Sequence, residues 1–157
     1  GSAAVQLAAM RGASVVAATT GVRADDVRRI GAGETIDREG DLVDQLGESS
    51  IDVVIDLVGG PHFESLLRVL RPGGRYATAG AVAGPHVALD LRDLYLKDLT
   101  FYGCTFHPKS VFTDLVSCIE QDRIQPLVAA RYDLTDIHEA QRRFSEKDFI
   151  GKIAIVT

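Results

Sequence analysis

The sequence predicts an α/β fold: a doubly wound parallel sheet with helices on both faces. Three observations predict it. Short β-branched runs alternate with segments of helical period, the pattern of βαβ units. The run at residues 51–57 (IDVVIDL) is apolar almost throughout, as expected of a strand covered on both faces. Glycine supplies 15 of 157 residues, above the usual share of roughly 7%, and this excess suits tight turns between strand and helix.

Taken in order, residues 2–11 carry Ala4, Val5, Ala8 and Ala9 at helical spacing, and Gly12 ends the helix. Residues 14–19 (SVVAAT) form a strand. Residues 24–30 form a helix with Val27 and Ile30 on one face, closed by Gly31. Thr35 and Ile36 make a brief strand, and residues 41–46 one or two helical turns stopped by Gly47. After the 51–57 strand, Pro61 introduces a helix over 63–70, ended by Pro72-Gly73-Gly74. Strands follow at 75–78 and 99–106, and 80–90 (GAVAGPHVALD) is the one long loop. A helix over 111–121 and an extended stretch at 127–132 come next. The helix over 136–144 has Asp136 and Glu139 spaced as a capping box. Residues 152–156 (KIAIV) close as a strand.

Composition narrows the function. With 46% hydrophobic and 25% charged residues, the chain has the make-up of one globular domain, taken here as 1–157. A net charge of −5 argues against a nucleic-acid partner. No apolar run approaches the roughly 18 residues of a membrane span, so no membrane association is expected. Nor does a secretory signal pattern occur, and two cysteines make no disulfide framework; a cytoplasmic setting is the simplest expectation. His62, His86, His107 and His138 sit at no metal-ligand spacing and are read as surface or loop residues. No metal site and no catalytic residue is assigned.

The sequence opens directly on a helix, whereas a doubly wound nucleotide-binding domain normally opens on a strand and a glycine-rich turn. The expectation is therefore a piece of a longer polypeptide, with the first strand outside it. Gly1 is either the last glycine of that turn or, with Ser2, a foreign remnant.

Residues 1–11 (GSAAVQLAAMR), 51–60 (IDVVIDLVGG), 70–80 (LRPGGRYATAG), 99–106 and 151–156 occur in an order that resembles the cofactor-binding half of the medium-chain dehydrogenase/reductase superfamily. The resemblance is nearest to its quinone oxidoreductase-like and zinc-type alcohol dehydrogenase-like branch, and it covers essentially the whole chain. It implies a Rossmann-type sheet and a longer two-domain parent. The strand at 152–157 would return toward the other domain, which in zinc-type relatives binds the catalytic zinc.

The same resemblance implies a nicotinamide cofactor whose pyrophosphate lies at the first helix, at Gly1 and Ser2, where backbone N–H groups and the helix dipole favour an anion. NAD-specific sites generally end the second strand of the fold in Asp or Glu, about 20 residues past the glycine turn. Here that strand ends Ala17-Ala18-Thr19-Thr20, with Arg23 and Arg38 following. Hydroxyl and guanidinium donors suit a ribose 2′-phosphate, so NADP(H) is the expected cofactor. Surface charge is the alternative reading of Arg23 and Arg38.

By resemblance, Val58 and Gly59 lie beside the riboses, Gly80 and Ala81 beside the nicotinamide, and Cys104 and Thr105 near its carboxamide. On its own terms Cys104 is read as a small buried hydrophobe, and Asp56 as either a turn cap or a ribose contact. Lys152 is a lesser candidate on the cofactor side. The implied partners are the cofactor, a small-molecule substrate held through the other domain, and a second copy paired through the edge strand 99–106. The implied activity is hydride transfer to or from a carbonyl, quinone or activated alkene, with the 157 residues alone expected to be inactive. Two other readings stay open: a non-catalytic nucleotide-binding or assembly module, and an S-adenosylmethionine-dependent methyltransferase, which shares the PGG turn but normally needs the missing acid.

Overall fold

A computed structural model describes residues 1–146 and 148–157. The elements in chain order are α1 (Ser2–Met10), β1 (Val16–Thr19), α2 (Ala24–Arg29), β2 (Glu34–Asp37), α3 (Leu42–Leu46), β3 (Ile51–Asp56), α4 (Phe63–Val69), β4 (Leu70–Thr78), α5 (Leu91–Tyr95), β5 (Thr100–Gly103), α6 (Lys109–Glu120), β6 (Val128–Asp133), α7 (Ile137–Glu146) and β7 (Lys152–Val156). Short 3₁₀ turns precede α2, α4 and α7. Strand pairing gives β1-β2, β3-β4-β5 and β6-β7. The β3-β4, β4-β5 and β6-β7 pairs are parallel, as the alternation of strands and helices requires.

The chain forms two compact units. One comprises Gly1–Ala17, Gly21–Thr35 and Lys109–Thr157. In it Gln6 Nε2 donates to the Gln125 carbonyl at 2.9 Å while the Gln125 N–H donates back to Gln6 Oε1 at 2.7 Å, tying α1 to the approach to β6. Ala32, Ile124 and Ala140 are its buried apolar residues. Among the described residues, Asp136 and Glu139 make no capping hydrogen bond; α7 instead grows out of the 3₁₀ turn Leu134–Asp136.

The other unit comprises Ala18–Thr20 and Ile36–Pro108, and it holds the main core. Leu67, Val69 and Leu70 are wholly buried there, each contributing about 1.5–3 kcal/mol through removal of apolar surface from water. Phe63, Tyr76 and Phe101 pack edge-on or tilted, with ring centroids 5.2–6.2 Å apart. Two ends of helices are chemically closed. Asp41 Oδ1 accepts the Val43 and Asp44 N–H groups at the start of α3. At the end of α4, the Lys97 ammonium donates to the carbonyls of Leu67, Arg68 and Leu70 at 2.8–3.2 Å.

Three further expectations are corrected. β3 is covered on one face: Val54 and Asp56 are buried, but Val53 and Ile55 are 40% and 50% exposed. An apolar run marks a strand, yet period-2 alternation leaves each face to find its own cover. The helix at 63–70 ends at Val69, before the Pro-Gly-Gly turn, because Leu70 is already extended and begins β4. The expected strand at 99–106 is paired only over Thr100–Gly103. The loop over 80–90 holds no helix, as expected, and the five-residue helix α5 follows it, capped where Asp90 accepts the Arg92 N–H.

Candidate functional site

Parallel strands bring their carboxyl ends to one edge of the sheet, where open α/β folds bind ligands. In the β3-β4-β5 sheet that edge is the row Asp56, Thr78 and Gly103, which are register neighbours. The expected residues Val58, Gly59, Gly80, Ala81, Cys104 and Thr105 all lie in the segments that leave it.

Asp56 organises this edge. It is 6% exposed, and its carboxylate is fully engaged. Oδ1 accepts the N–H groups of Val58 at 2.8 Å and Gly59 at 3.0 Å, and Oδ2 accepts the Tyr76 hydroxyl at 2.6 Å. Of the two roles open from sequence, Asp56 therefore takes the turn cap. Burial, then the hydrogen bond to Asp56 and its charge, raise the Tyr76 phenol well above its usual value. The hydroxyl thus stays protonated and keeps donating.

The turn it holds is locked against the next loop. The Ala83 N–H donates to the Val58 carbonyl at 2.9 Å, and the Ala79 N–H to the Asp56 carbonyl at 3.0 Å. Gly59 has φ of 65°, and a Cβ there would stand 3.0 Å from the Gly84 carbonyl oxygen and 3.2 Å from Ala81 Cα. At Gly80 a Cβ would lie 2.6 Å from the Leu57 carbonyl oxygen. Both glycines are required by loop-on-loop packing. The Val58 and Gly59 N–H groups already serve Asp56, so they do not form an amide cradle for a ligand. Ala81 is exposed, and Val58 is 44% exposed.

Cys104 is exposed, against the expectation of a buried hydrophobe. β5 stops at Gly103, so the side chain of Cys104 emerges beyond the sheet although its N–H still donates to the Thr78 carbonyl at 2.8 Å. Thr105 follows, also exposed.

The second cluster lies at the ends of β1 and β2. Thr19 is the last residue of β1, with Thr20 next, both part-buried. The Arg38 N–H donates to the Thr19 carbonyl at 3.2 Å, which sets Arg38 directly beside the end of β1. Its guanidinium pairs with Glu39 at 2.7 Å on the surface. Arg23 belongs to the first unit, at the end of the 3₁₀ turn and at the N-cap position of α2.

Gly1 and Ser2 open α1, where N–H groups of the first turn lack intrahelical partners. Burial, and then the charge of Lys152, hold the Gly1 amino group below its usual value. Each unit by itself offers donors suited to an anion: a helix N-terminus in the first, and hydroxyls and a guanidinium at a strand end in the second. Among the described residues no group of three or more His, Cys, Asp or Glu is placed to hold a metal ion.

Sequence reasoning missed Tyr76, Gln45 and Glu39. Tyr76 sits 20 residues from Asp56, and only the β3-β4 register, which places Val54 opposite Tyr76 and Asp56 opposite Thr78, puts them on one face.

Residues 1–121 match the family described as zinc-binding dehydrogenase. The chain belongs to that family. This places it in the medium-chain dehydrogenase/reductase superfamily and removes the methyltransferase reading. Among solved structures, a Sinorhizobium meliloti 1021 protein provisionally assigned as an alcohol dehydrogenase is 46% identical with a TM-score of 0.92, over 99% of this chain and 45% of that one. An NAD-dependent alcohol dehydrogenase is 27% identical with a TM-score of 0.88, over 99% and 48%. The acryloyl-coenzyme A reductase of Sulfurisphaera tokodaii is 28% identical over 97% of this chain and 46% of its own length. The chain thus spans under half the length of each of these relatives. The metal in the zinc-binding dehydrogenase family's name finds no ligand cluster among the described residues. Among them, no helix is long and apolar enough to cross a membrane.

Proposed function

We propose that this chain is the cofactor-binding part of an oxidoreductase that uses NADP(H) to move hydride to or from a carbonyl, quinone or activated alkene. The observation that carries the cofactor choice is the end of β1. It terminates in Thr19 and Thr20 with no acid, and Arg38 is hydrogen-bonded alongside. An acid there would accept from a ribose 2′-hydroxyl and repel a 2′-phosphate; hydroxyls and guanidinium do the reverse. The name of the acryloyl-coenzyme A reductase supports an activated alkene among the substrates.

A bound nicotinamide would supply the hydride chemistry. The chain's own residues would bind and orient. Gly1 and Ser2 would receive the pyrophosphate at the α1 N-terminus. Thr19, Thr20 and Arg38 would hold the 2′-phosphate, with Arg23, in the other unit, a candidate to be tested on its own. The surface built from Val58, Gly59, Gly80 and Ala81 would lie against the riboses and nicotinamide, with Cys104 and Thr105 at the carboxamide. Substrate would be enclosed from the other side by residues outside this chain, so purified 157-residue protein should show no substantial NADPH-dependent turnover; full turnover would overturn that division of labour.

Arg23→Ala and Arg38→Ala should each weaken NADPH binding several-fold and leave NADH binding unchanged, read by fluorescence titration. Equal losses for both cofactors would contradict a 2′-phosphate contact. A homodimer through β5 is part of the proposal: β5 is the outer strand of its sheet, and Tyr102 and Phe106 are 48% and 91% exposed. Sedimentation as a monomer at micromolar concentration would exclude it.

A further inference from the structure

The corner that offers Arg38 also carries more negative than positive charge. Arg38 Nε donates to Glu39 Oε1 at 2.7 Å, with both side chains more than half exposed. Asp37 Oδ1 accepts the Glu39 N–H at 3.0 Å. The Asp37 backbone is itself clamped by one side chain, for Gln45 Oε1 accepts its N–H at 2.8 Å and Gln45 Nε2 donates to its carbonyl at 2.9 Å. The Asp37 and Glu39 backbones are thus held, and the Arg38 guanidinium pairs with the Glu39 carboxylate beside the end of β1.

We propose that Glu39 is a specificity-determining residue: its carboxylate competes with the ribose 2′-phosphate for the Arg38 guanidinium and lowers the preference for phosphorylated cofactor. The inference rests on the NADP(H) reading. A guanidinium edge that holds a carboxylate is not available to a phosphate, because both use the same N–H donors. An exposed pair of adjacent residues is weak, so a phosphate displaces Glu39. The displaced carboxylate then remains beside a doubly charged group and repels it. An unphosphorylated ribose asks nothing of Arg38 and is indifferent to Glu39. Screening by salt shrinks the effect, since every partner is at the surface.

The test is equilibrium binding of adenosine 2′,5′-bisphosphate and adenosine 5′-monophosphate to the wild-type chain, Glu39→Gln, Arg38→Ala and the double variant. Glu39→Gln should raise the preference for the bisphosphate by about fivefold, as expected for an exposed charge pair, entirely through tighter bisphosphate binding. The double variant should show no gain over Arg38→Ala. An unchanged preference in Glu39→Gln overturns the proposal, as does a gain that survives loss of Arg38. Loss of monophosphate binding in Glu39→Gln also overturns it, by making Glu39 an acceptor for the ribose hydroxyl. If none of the four proteins prefers the bisphosphate, the NADP(H) reading falls as well; if the wild type prefers it and Glu39→Gln is unchanged, only the inference falls.

Discussion

The Gly59 turn and the Thr19–Arg38 corner both stand at strand ends in the same compact unit, but they are built on opposite principles. At the turn a buried carboxylate takes three donors, and two glycines exist because their neighbours leave no room for a side chain. At the corner, Thr19 and Arg38 share one backbone hydrogen bond, and the charged groups lie on the surface, satisfied by each other. The first region is determined by the fold. The second can be re-paired at little cost when a ligand arrives. Shape is therefore fixed at the turn, and charge is left adjustable at the corner.

Substitutions should separate the two. Asp56→Ala should have the largest effect, lowering stability by roughly 3 kcal/mol, because it strands a buried phenol and two turn amides; urea denaturation measures it. Tyr76→Phe keeps the ring packing and should cost about 1 kcal/mol. It should also remove a pH dependence. The raised Tyr76 phenol contributes stability that is fully present below the ordinary tyrosine pKa and is lost as pH rises through the folded value. Wild type should therefore lose stability above roughly pH 10, and alkaline absorbance titration against Tyr76→Phe should find the Tyr76 phenol resisting ionisation until unfolding. If Tyr76 ionises in the folded protein at the ordinary tyrosine pKa, the Asp56–Tyr76 bond is not as described. Arg38→Ala should shift denaturation least, within about 0.5 kcal/mol. A large loss there would erase the contrast between the regions.

The contrast also explains what could be read from sequence. Local signals located the elements: Gly47 after α3, Gly12 after α1, and the β-branched core of β7. The absent acid at Thr19-Thr20 was equally local. Asp56 was visible as a residue but ambiguous in role, since its decisive partner Tyr76 is brought to it only by strand register. Cys104 was misplaced because one residue more or less of β5 separates the sheet from solvent. Hydrophobicity alone could not say that Val53 and Ile55 would be left half exposed, because that depends on what covers the second face of β3. Glu39 was in plain view beside Arg38, yet its meaning comes from the hydrogen bond between them.

The cofactor assignment is tested most directly by titrating the chain with NADPH and with NADH in one buffer at one ionic strength. The account predicts that NADPH binds roughly tenfold more tightly, as charge-assisted contacts to a 2′-phosphate should provide. NADH binding as tightly as NADPH, or more tightly, would contradict it.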